Sequence, residues 1–308
     1  MPEPYDDEIA DAAAVLRAGG LVAFPTETVY GLGADAANPD ALDRLYRVKG
    51  RPRDHPVIVH VAHTEQLDEL AEDLPDIART LARACWPGPL TLVVRKRAAR
   101  VADAATGGRP TVGIRIPDHP VALALLDAFA GGVAAPSANR FGKVSPTTAA
   151  HVRADLGTDV DRVLDGGPAR VGVESTIVDV TGAEPMVLRL GGVSEAQLTA
   201  LAGRPLLRRT SGEVAAPGTL PSHYAPNAKV VVVGADAVNL TAASLRGSGQ
   251  RVVVLDAPDD ADEYARRLYA LLRDADADDV DVIVAPEPSS TDGIGAAVTD
   301  RLRRAASR

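Results

Sequence analysis

Short apolar runs of strand length alternate with amphipathic helical stretches along most of the chain, and this alternation predicts an α/β fold. A helix is predicted over residues 7–18, where Gly19 and Gly20 end it, and another from Pro39 to about Gly50. Ser194, three residues before Gln197, predicts a capped helix over 195–202. The strands predicted from apolar runs are 57–61, 90–94, 111–116, 133–135, 176–180 and 186–190.

Residues 203–227 are rich in proline and glycine and have few periodic apolar positions, which predicts a linker. Three all-apolar runs follow at 230–233, 252–255 and 282–284, with helical patterns at 261–273 and 295–305. Such runs are typical of a small Rossmann-like parallel sheet. The predicted organisation is an N-terminal α/β domain (1–204), a proline- and glycine-rich linker (205–227) and a small Rossmann-like parallel-sheet domain (228–308).

The composition limits the possible functions. The chain has 308 residues and a formal net charge of −9, which disfavours tight binding to nucleic-acid phosphates. Cys85 is the only cysteine, so neither an intrachain disulfide nor a cysteine zinc cluster can form. No apolar run reaches the roughly 18 residues that a membrane span requires, and the acidic start lacks a signal pattern. We therefore expect a cytoplasmic protein without a metal centre of its own.

The turn at residues 25–33 concentrates polar groups directly after the apolar run 21–24. It carries two hydroxyls, a carboxylate and a phenol, from Thr26, Thr28, Glu27 and Tyr30. Folding alone does not require so many polar groups beside a buried strand, because each of them needs a partner once it leaves water. The turn therefore predicts part of a binding site.

Several predicted strands present one polar side chain on the face opposite their apolar residues. Thr111 and Arg115 share such a face, and His60, Ser175 and Arg189 occupy equivalent positions in other strands. If only one strand had this pattern, a solvent-exposed strand face would explain it. Because the pattern recurs in several strands, we favour a binding site to which all of them contribute. Arginine binds carboxylate and phosphate through two parallel hydrogen bonds, so an anionic ligand is expected.

Two loops could add to this site. The basic loop 49–56 could clamp a polyphosphate, although a solvated turn explains it equally well. The loop 136–147 is rich in hydrogen-bond donors. Within it, Ser145 before Pro146 fits best as the N-cap of a helix, whose N-terminus could itself bind an anion.

Together these segments resemble the threonylcarbamoyl-AMP synthases, and more closely their long, two-domain form. The order and spacing of the matching segments hold over nearly the full length, which makes the resemblance specific. The matching segments are 24–33, 49–52, 56–60, 86–91, 112–117, 135–139, 145–147, 174–179, 188–191, 217–218 and 222–226.

The resemblance implies that residues 1–204 form a twisted mixed-sheet catalytic domain and that the linker, 205–227, lies over its active site. It also implies a nucleotidyltransferase that converts L-threonine, bicarbonate and ATP into threonylcarbamoyl-AMP and pyrophosphate. The product would pass to the tRNA threonylcarbamoyl transferase machinery, which modifies the adenosine next to the anticodon. ATP would be a substrate, and Mg²⁺ would accompany it, held mainly by phosphates. The alternative is an RNA-binding module without adenylation activity, and weak tRNA binding fits either hypothesis. A related carbamoyl-adenylate enzyme of hydrogenase maturation is disfavoured, since the chain lacks that protein's cysteine-rich modules.

The resemblance also implies roles for individual residues. Lys49, Arg51 and Arg115 would be catalytic, with Lys49 adding positive charge near the triphosphate and Arg115 holding the threonine carboxylate. His55 stands where the family usually has asparagine, which leaves its nucleotide role open. The expected threonine-binding residues are Thr26, Thr28, His60, Arg115, Ala135 and Ser175. The expected ATP-binding residues are Arg51, His55, Thr111, Ser137, Ser145, Arg189 and Tyr224, which would close over the nucleotide.

Overall fold

The computed structural model describes residues 6–209, 224–277 and 279–307. Within these residues the chain forms eleven α-helices, and none of them is long and apolar enough to cross a membrane. The helices are α1 (Asp6–Arg17), α2 (Pro39–Lys49), α3 (Gln66–Leu70), α4 (Asp76–Cys85), α5 (Asp103–Thr106), α6 (Pro120–Phe129), α7 (Ala149–Leu156), α8 (Glu195–Ala202), α9 (Val238–Gly247), α10 (Ala261–Ala275) and α11 (Gly293–Ala306).

The same described residues contain fourteen strands, which form two sheets. The strands are β1 (Val22–Phe24), β2 (Gly31–Asp35), β3 (Ile58–His60), β4 (Ala71–Glu72), β5 (Leu90–Lys96), β6 (Thr111–Arg115), β7 (Val133–Ala134), β8 (Arg162–Val163), β9 (Thr176–Asp179), β10 (Met186–Arg189), β11 (Leu207–Arg208), β12 (Lys229–Val233), β13 (Val252–Val254) and β14 (Val282–Pro286).

The larger sheet belongs to the N-terminal domain and is mixed. Its order is β11-β10-β9-β5-β6-β3-β7-β2-β1-β8, and β4 pairs with β5 beside this path. Parallel pairs such as β3 with β6 and β5 with β9 alternate with antiparallel pairs such as β5 with β6. The mixed sheet confirms the predicted fold class. It also brings β3, β6 and β9, which carry polar side chains, to the middle of one sheet.

The smaller sheet belongs to the C-terminal domain and has the order β12-β14-β13, with both pairs parallel. The central strand β14 is almost wholly buried, which explains its run of apolar residues. Helices α10 and α11 pack on each other, and α11 packs on β12. Buried Tyr264, Leu268 and Leu302 of these helices belong to the hydrophobic core. The predicted Rossmann-like parallel sheet is thereby confirmed.

Helix ends follow local sequence signals in two of the predicted cases. The Asn38 side chain accepts hydrogen bonds from the backbone of Asp40 and Ala41 at the start of α2. Gly50 ends that helix in the left-handed conformation, with φ of 66°. At the start of α8, the Ser194 side chain accepts a bond from the Gln197 backbone, as the sequence predicts.

Two expectations from the sequence need correction. Ser145 is not an N-cap, because α7 begins four residues later and Thr148 caps it. Ser145 is instead fully buried and donates a hydrogen bond to Glu174. The segment predicted as a linker begins with a strand, since β11 pairs in parallel with β10. Residues 210–223 of that segment lie outside the described residues.

The C-terminal domain docks on the N-terminal domain through polar contacts made by α10 and α11. Arg273 on α10 forms an ion pair of 2.6 Å with Asp155 on α7. Arg301 on α11 forms an ion pair of 2.7 Å with Glu174, which lies two residues before β9. Because both arginines reach across the domain boundary, the position of the second domain is tied to residues of the first.

We expect Asn38→Ala to lower the free energy of unfolding by about 1 kcal/mol, because two backbone N–H groups of α2 lose their acceptor. Urea unfolding followed by circular dichroism measures the change. Asp43→Ala, on the same helix but outside the cap, serves as the control, and equal losses in both variants would contradict the capping role.

Candidate active site

Polar side chains from separate strands and loops meet in one cavity of the N-terminal domain, with an empty volume of about 540 Å³ including its mouth. The cavity is enclosed by the turn after β1, by β3 and β6, by the loop after β7 and by the ends of β9 and β10. The lining residues are Thr26, Thr28, Val29, Gly31, Arg51, Ile58, His60, Arg115, Ala135, Pro136, Ser137, Glu174, Ser175, Arg189 and Tyr224.

Arg115, the last residue of β6, is held on three sides. Its Nη2 lies 2.6 Å from Oε1 of Glu27, and both side chains are buried. Nη1 donates to Oγ1 of Thr28 at 3.0 Å, and Nε donates to the carbonyl of Gly88 at 3.1 Å. A guanidinium has five N–H groups, so this arrangement fixes the fork without using all of its donors.

The turn after β1 is organised by Thr26. Its hydroxyl donates to the carbonyl of Val29 at 2.6 Å and lies 2.8 Å from Oγ1 of Thr28. It also accepts from the backbone N–H groups of Thr28 and Val29, each at 3.2 Å. These short-range bonds satisfy the buried polar groups of the turn and hold Thr28 against Arg115.

His60, at the end of β3, is buried and contacts the ring edge of Phe24, with 6.0 Å between the ring centroids. Burial, and then the nearby charge of Arg115, lower the pKa of His60 to about 3. The imidazole is therefore neutral at pH 7. Within the described residues, its Nδ1 has no hydrogen-bond partner.

Arg189 and Ser175 form the opposite wall. Arg189 donates to the Ser175 carbonyl from Nε at 3.1 Å and from Nη2 at 2.9 Å. Its Nη2 also lies 3.1 Å from the Ser175 hydroxyl, which is 2.8 Å from Oγ1 of Thr91 on β5. Two neighbouring strands, β9 and β10, thus present a hydroxyl and a guanidinium at the same point.

Arg51 follows α2 and enters the cavity from a third direction. Its Nη2 donates to the carbonyl of Pro56 at 2.9 Å, and its guanidinium lies 5.7 Å from the ring centre of Phe141. Burial lowers the pKa of Arg51 to about 10, so the group remains charged at pH 7. Together with Arg189 it gives this part of the cavity a positive character.

The loop after β7 supplies backbone groups. The N–H of Ala135 donates to the carbonyl of Ile58 at 2.8 Å, and Ser137 forms an isolated antiparallel bridge with Gly31. Lys49 lies beneath this loop and donates from Nζ to the carbonyls of Ser137 and Asn139, both at 2.6 Å.

Four of the residues predicted for the site do not line the cavity: Lys49, His55, Thr111 and Ser145. For Lys49, burial and then Arg51 lower the pKa well below its usual range. Its amino group donates to the loop that carries Ser137, and its predicted catalytic role stays a prediction. His55 packs beside Phe141, and Thr111 lies at the far end of β6, four residues before Arg115. Ser145 stands behind Glu174.

Glu174 also lines the cavity. It is not among the site residues predicted from the sequence, although it belongs to the family-matching segment 174–179. It accepts hydrogen bonds from Ser145 at 2.8 Å, from Tyr269 at 2.8 and 3.0 Å, and from Arg301 at 2.7 Å. Burial raises the pKa of Glu174, but Arg301 and then Arg189 outweigh it and hold the value at about 2. No local pattern could reveal this role, because most of its partners lie about 100 residues away in the sequence.

Tyr224 closes one side of the cavity at the start of the second described segment. Its ring is buried, stacks on Tyr269 at 5.7 Å and lies 5.2 Å from the guanidinium of Arg301. Its φ of 62° is a left-handed conformation that non-glycine residues rarely adopt. The packing around the ring holds this conformation in place.

Comparison with known proteins assigns the chain to a family. A family model described as telomere recombination (Sua5, YciO, YrdC) matches residues 14–191. A second one, described as threonylcarbamoyl-AMP synthase, C-terminal domain, matches residues 193–307. The threonylcarbamoyl-AMP synthase of Pyrococcus abyssi is 42% identical over 97% of this chain and 94% of its own length. The chain belongs to the threonylcarbamoyl-AMP synthase family.

Further relatives support the same assignment. The threonylcarbamoyl-AMP synthase of Bacillus subtilis is 40% identical over 98% of this chain and 93% of its own length. The crystal structure of P. abyssi Sua5 complexed with L-threonine superposes with a TM-score of 0.93, at 41% identity over 98% of this chain and 94% of that one. The predicted family, fold and enzyme class of a threonylcarbamoyl-AMP synthase are confirmed, and these relatives favour the enzyme over the RNA-binding alternative.

A likeness to full-length HypF is limited to the fold. Its crystal structure has a TM-score of 0.54 with this chain at 16% identity, and the match covers 44% of that protein. Cys85 is a free, buried thiol, and burial raises its pKa.

The pKa of His60 predicts a specific pH dependence of stability. The unfolded chain binds a proton at His60 below about pH 6.5, whereas the folded protein resists protonation down to about pH 3. The free energy of unfolding should therefore fall as the pH decreases through this window, by at most about 1.4 kcal/mol per pH unit from this residue. Urea titrations between about pH 6 and pH 4 measure the slope.

His60→Gln should have a shallower slope than the wild type, since glutamine does not titrate. His63→Gln, which removes an exposed histidine, controls for the loss of one imidazole. Equal slopes in the wild type and His60→Gln would refute the neutral buried state.

Gly191 should not tolerate a side chain. A Cβ atom there would lie 2.2 Å from the Glu174 carbonyl oxygen and 2.4 Å from the Thr176 backbone nitrogen. We expect Gly191→Ala to lower the free energy of unfolding by about 1–3 kcal/mol, because the chain around Ser175 must shift. Gly182→Ala is the control, because its new Cβ would lie 3.7 Å from its nearest neighbour, the Glu184 carbonyl oxygen. Equal stabilities, measured by urea unfolding, would contradict this close approach.

Proposed function

We propose that this protein forms threonylcarbamoyl-AMP from L-threonine, bicarbonate and ATP, with release of pyrophosphate. The observation that carries the proposal is that three guanidiniums line one cavity. Arg115 is fixed by its neighbours, and Arg51 and Arg189 enter the cavity from other directions. Such a cavity can bind a carboxylate at one end and phosphates at the other. The P. abyssi relative whose structure contains L-threonine supports the same reading.

The threonine subsite is proposed at Arg115. Glu27, Thr28 and Gly88 orient its fork, so the remaining N–H groups can pair with the threonine carboxylate. His60 lies beside this point as a neutral ring, which can exchange a hydrogen bond without adding charge. The remaining threonine contacts are assigned to Thr26, Ser175 and the backbone of Ala135, which line the same cavity.

The ATP subsite is proposed on the side of Arg51 and Arg189. Both guanidiniums are buried, and charge-assisted bonds to phosphate gain strength where water is excluded. Ser137 offers a hydroxyl, and Tyr224 covers this side with its ring. The contribution of Lys49 is indirect, because it holds the carbonyls of the loop that carries Ser137.

The chemistry proceeds in two steps. In the first step, the neutral amine of threonine attacks the carbon of bicarbonate, or of CO₂ derived from it, and forms the N–C bond. The amine nitrogen loses a proton, and one oxygen of bicarbonate leaves with that proton as water. A carbamate oxygen then attacks the α-phosphorus of ATP, and the bond to the bridging oxygen breaks, so pyrophosphate leaves with the electron pair. Positioning and charge stabilisation dominate such a displacement.

The electrostatics of the cavity suit the first step. Carbamate formation requires an uncharged amine. The neighbouring His60 is neutral, and the positive charges of Arg51 and Arg189 disfavour an ammonium ion. Within the cavity lining, the carboxylate of Glu174 is already bonded to Tyr269 and Arg301, so it is unsuited to stabilise the ammonium form.

Mg²⁺ enters the proposal only as the ion that accompanies ATP. In the described part of the chain, no group of three or more His, Cys, Asp or Glu side chains could hold a metal ion. These residues therefore do not fit a metal site of the protein's own, and oxygen ligands from phosphates and water suffice for Mg²⁺. No step is assigned to it.

The product determines the proposed partners. Threonylcarbamoyl-AMP is a mixed anhydride of a carbamate and a phosphate, so it transfers its acyl group readily and is consumed quickly. We propose that it passes to the tRNA threonylcarbamoyl transferase machinery in the cytoplasm, and that contact with tRNA by this acidic chain is weak.

The activity is tested by incubating the protein with ATP, Mg²⁺, bicarbonate and one amino acid at a time. We expect a new adenylate of the mass of threonylcarbamoyl-AMP with threonine, together with pyrophosphate. No adenylate with any amino acid would contradict the proposed function.

Arg115→Ala should lower kcat/KM for threonine by at least about 100-fold, because the carboxylate loses its bidentate partner. Arg115→Lys should restore only part of the activity, since an ammonium group cannot form the fork. Threonine-dependent pyrophosphate release measures both variants.

Arg79→Ala is the control, because Arg79 is an exposed arginine paired with Asp68 far from the cavity. Circular dichroism verifies that the variants are folded. Turnover like that of the wild type in folded Arg115→Ala would rule out the carboxylate role.

A further inference from the structure

A negative charge lies in a cavity that is proposed to bind a polyphosphate. Glu174 lines this cavity, is almost wholly buried and is ionised at pH 7. A buried carboxylate that is not neutralised repels phosphate and is itself costly, because low polarity strengthens both effects. The neighbourhood of Glu174 must therefore supply a positive charge.

Two guanidiniums are available to Glu174. Arg189 belongs to the cavity and donates to Ser175, the residue next to Glu174. Arg301 belongs to the C-terminal domain and donates from Nε to Glu174 Oε2 at 2.7 Å. Tyr269, also of that domain, donates to the same carboxylate. Ser145 of the N-terminal domain donates to Glu174 as well, but it is uncharged. The C-terminal domain thus provides the guanidinium that forms an ion pair with this carboxylate.

Arg301 is itself fixed in the domain interface. Its side chain is fully buried, its Nη2 donates to the carbonyl of Leu190 at 2.8 Å, and its Nη1 donates to Asp300 at 2.7 Å. Its contacts with the first domain are at Glu174 and Leu190. Glu174 is next to Ser175 of the threonine subsite, and Leu190 is next to Arg189 of the ATP subsite. The guanidinium also lies against the ring of Tyr224.

We propose that Arg301 is a positioning residue of the active site: it neutralises Glu174 from the C-terminal domain and thereby keeps Arg189 directed to the phosphates of ATP. The inference rests on the proposed function, since it assumes a polyphosphate at Arg189. Without Arg301, Glu174 would pair with Arg189 and oppose the nucleotide. The cavity therefore binds ATP well only when the second domain is docked.

The test compares full-length variants by calorimetric binding of the α,β-methylene analogue of ATP with Mg²⁺, which cannot react at the α-phosphorus. Arg301→Met retains the buried stem and removes the charge. We expect its Kd for the analogue to rise at least about tenfold, with the KM for ATP rising more than kcat falls. The Kd for threonine should change less than about threefold, because Arg115 does not depend on Glu174.

The decisive variant is Arg301→Met combined with Glu174→Gln. If an unneutralised carboxylate causes the loss, removing that carboxylate should return the Kd to within about threefold of the wild type. A purely structural role predicts the opposite, since a second change in the same contact would weaken the interface further. A double variant that binds as weakly as Arg301→Met, or more weakly, overturns the proposal.

Asp155→Asn is the matched control, because it breaks the other ion pair between the domains, with Arg273, outside the cavity lining. It should leave analogue binding unchanged, and a loss equal to that of Arg301→Met would also overturn the proposal.

If Arg301→Met does not fold, Tyr269→Phe replaces it. This change removes the hydroxyl that donates to Glu174, so analogue binding should weaken. Adding Glu174→Gln to Tyr269→Phe should reverse that loss.

Failure of this inference is distinguishable from failure of the proposed function. Analogue binding decides the role of Arg301 even if the wild type forms no adenylate. Conversely, adenylate formation by the wild type supports the enzymatic function whatever the variants show.

Discussion

The buried ion pair between Arg115 and Glu27 is the contact on which the proposed site depends. It joins the end of β6 to the turn between β1 and β2, two parts of the sheet that are separated by β3 and β7. Burying two charges is costly unless their geometry is good and their remaining donors are satisfied. The bonds to Thr28 and Gly88 satisfy Nη1 and Nε of Arg115. Among the described residues, Nη2 of Arg115 makes no hydrogen bond, so it can receive a carboxylate.

The same principle explains how charge is distributed over the rest of the cavity. His60 is kept neutral by burial beside Arg115, and Glu174 is neutralised by Arg301 from behind. Besides Arg115, the positive charges that line the cavity are those of Arg51 and Arg189. A cavity with this balance favours anions and an uncharged amine, as the joining of threonine to a carbamate and then to a phosphate requires.

The two domains meet at Glu174, one of the residues that determine the charge of the cavity. Helices α10 and α11 supply Tyr269 and Arg301, and the rings of Tyr224 and Tyr269 stack between the domains. The family models meet between residues 191 and 193, earlier in the chain than the predicted domain end at 204. The predicted boundaries of the linker, at 205 and 227, stay a prediction, since most of that segment lies outside the described residues.

The sequence by itself indicated the α/β class, part of the strands and helices, the cap at Ser194, and the strand faces that carry His60, Arg115 and Arg189. These depend on periodicity and on bonds between residues a few positions apart, which a linear pattern records. The tertiary structure alone decided that Lys49 donates to the loop that carries Ser137, and that Ser145 donates to Glu174 rather than capping a helix. It alone also paired Glu27 with Arg115 and Glu174 with Arg301, because which charges become neighbours depends on how distant segments pack, and burial then fixes what each charge can do.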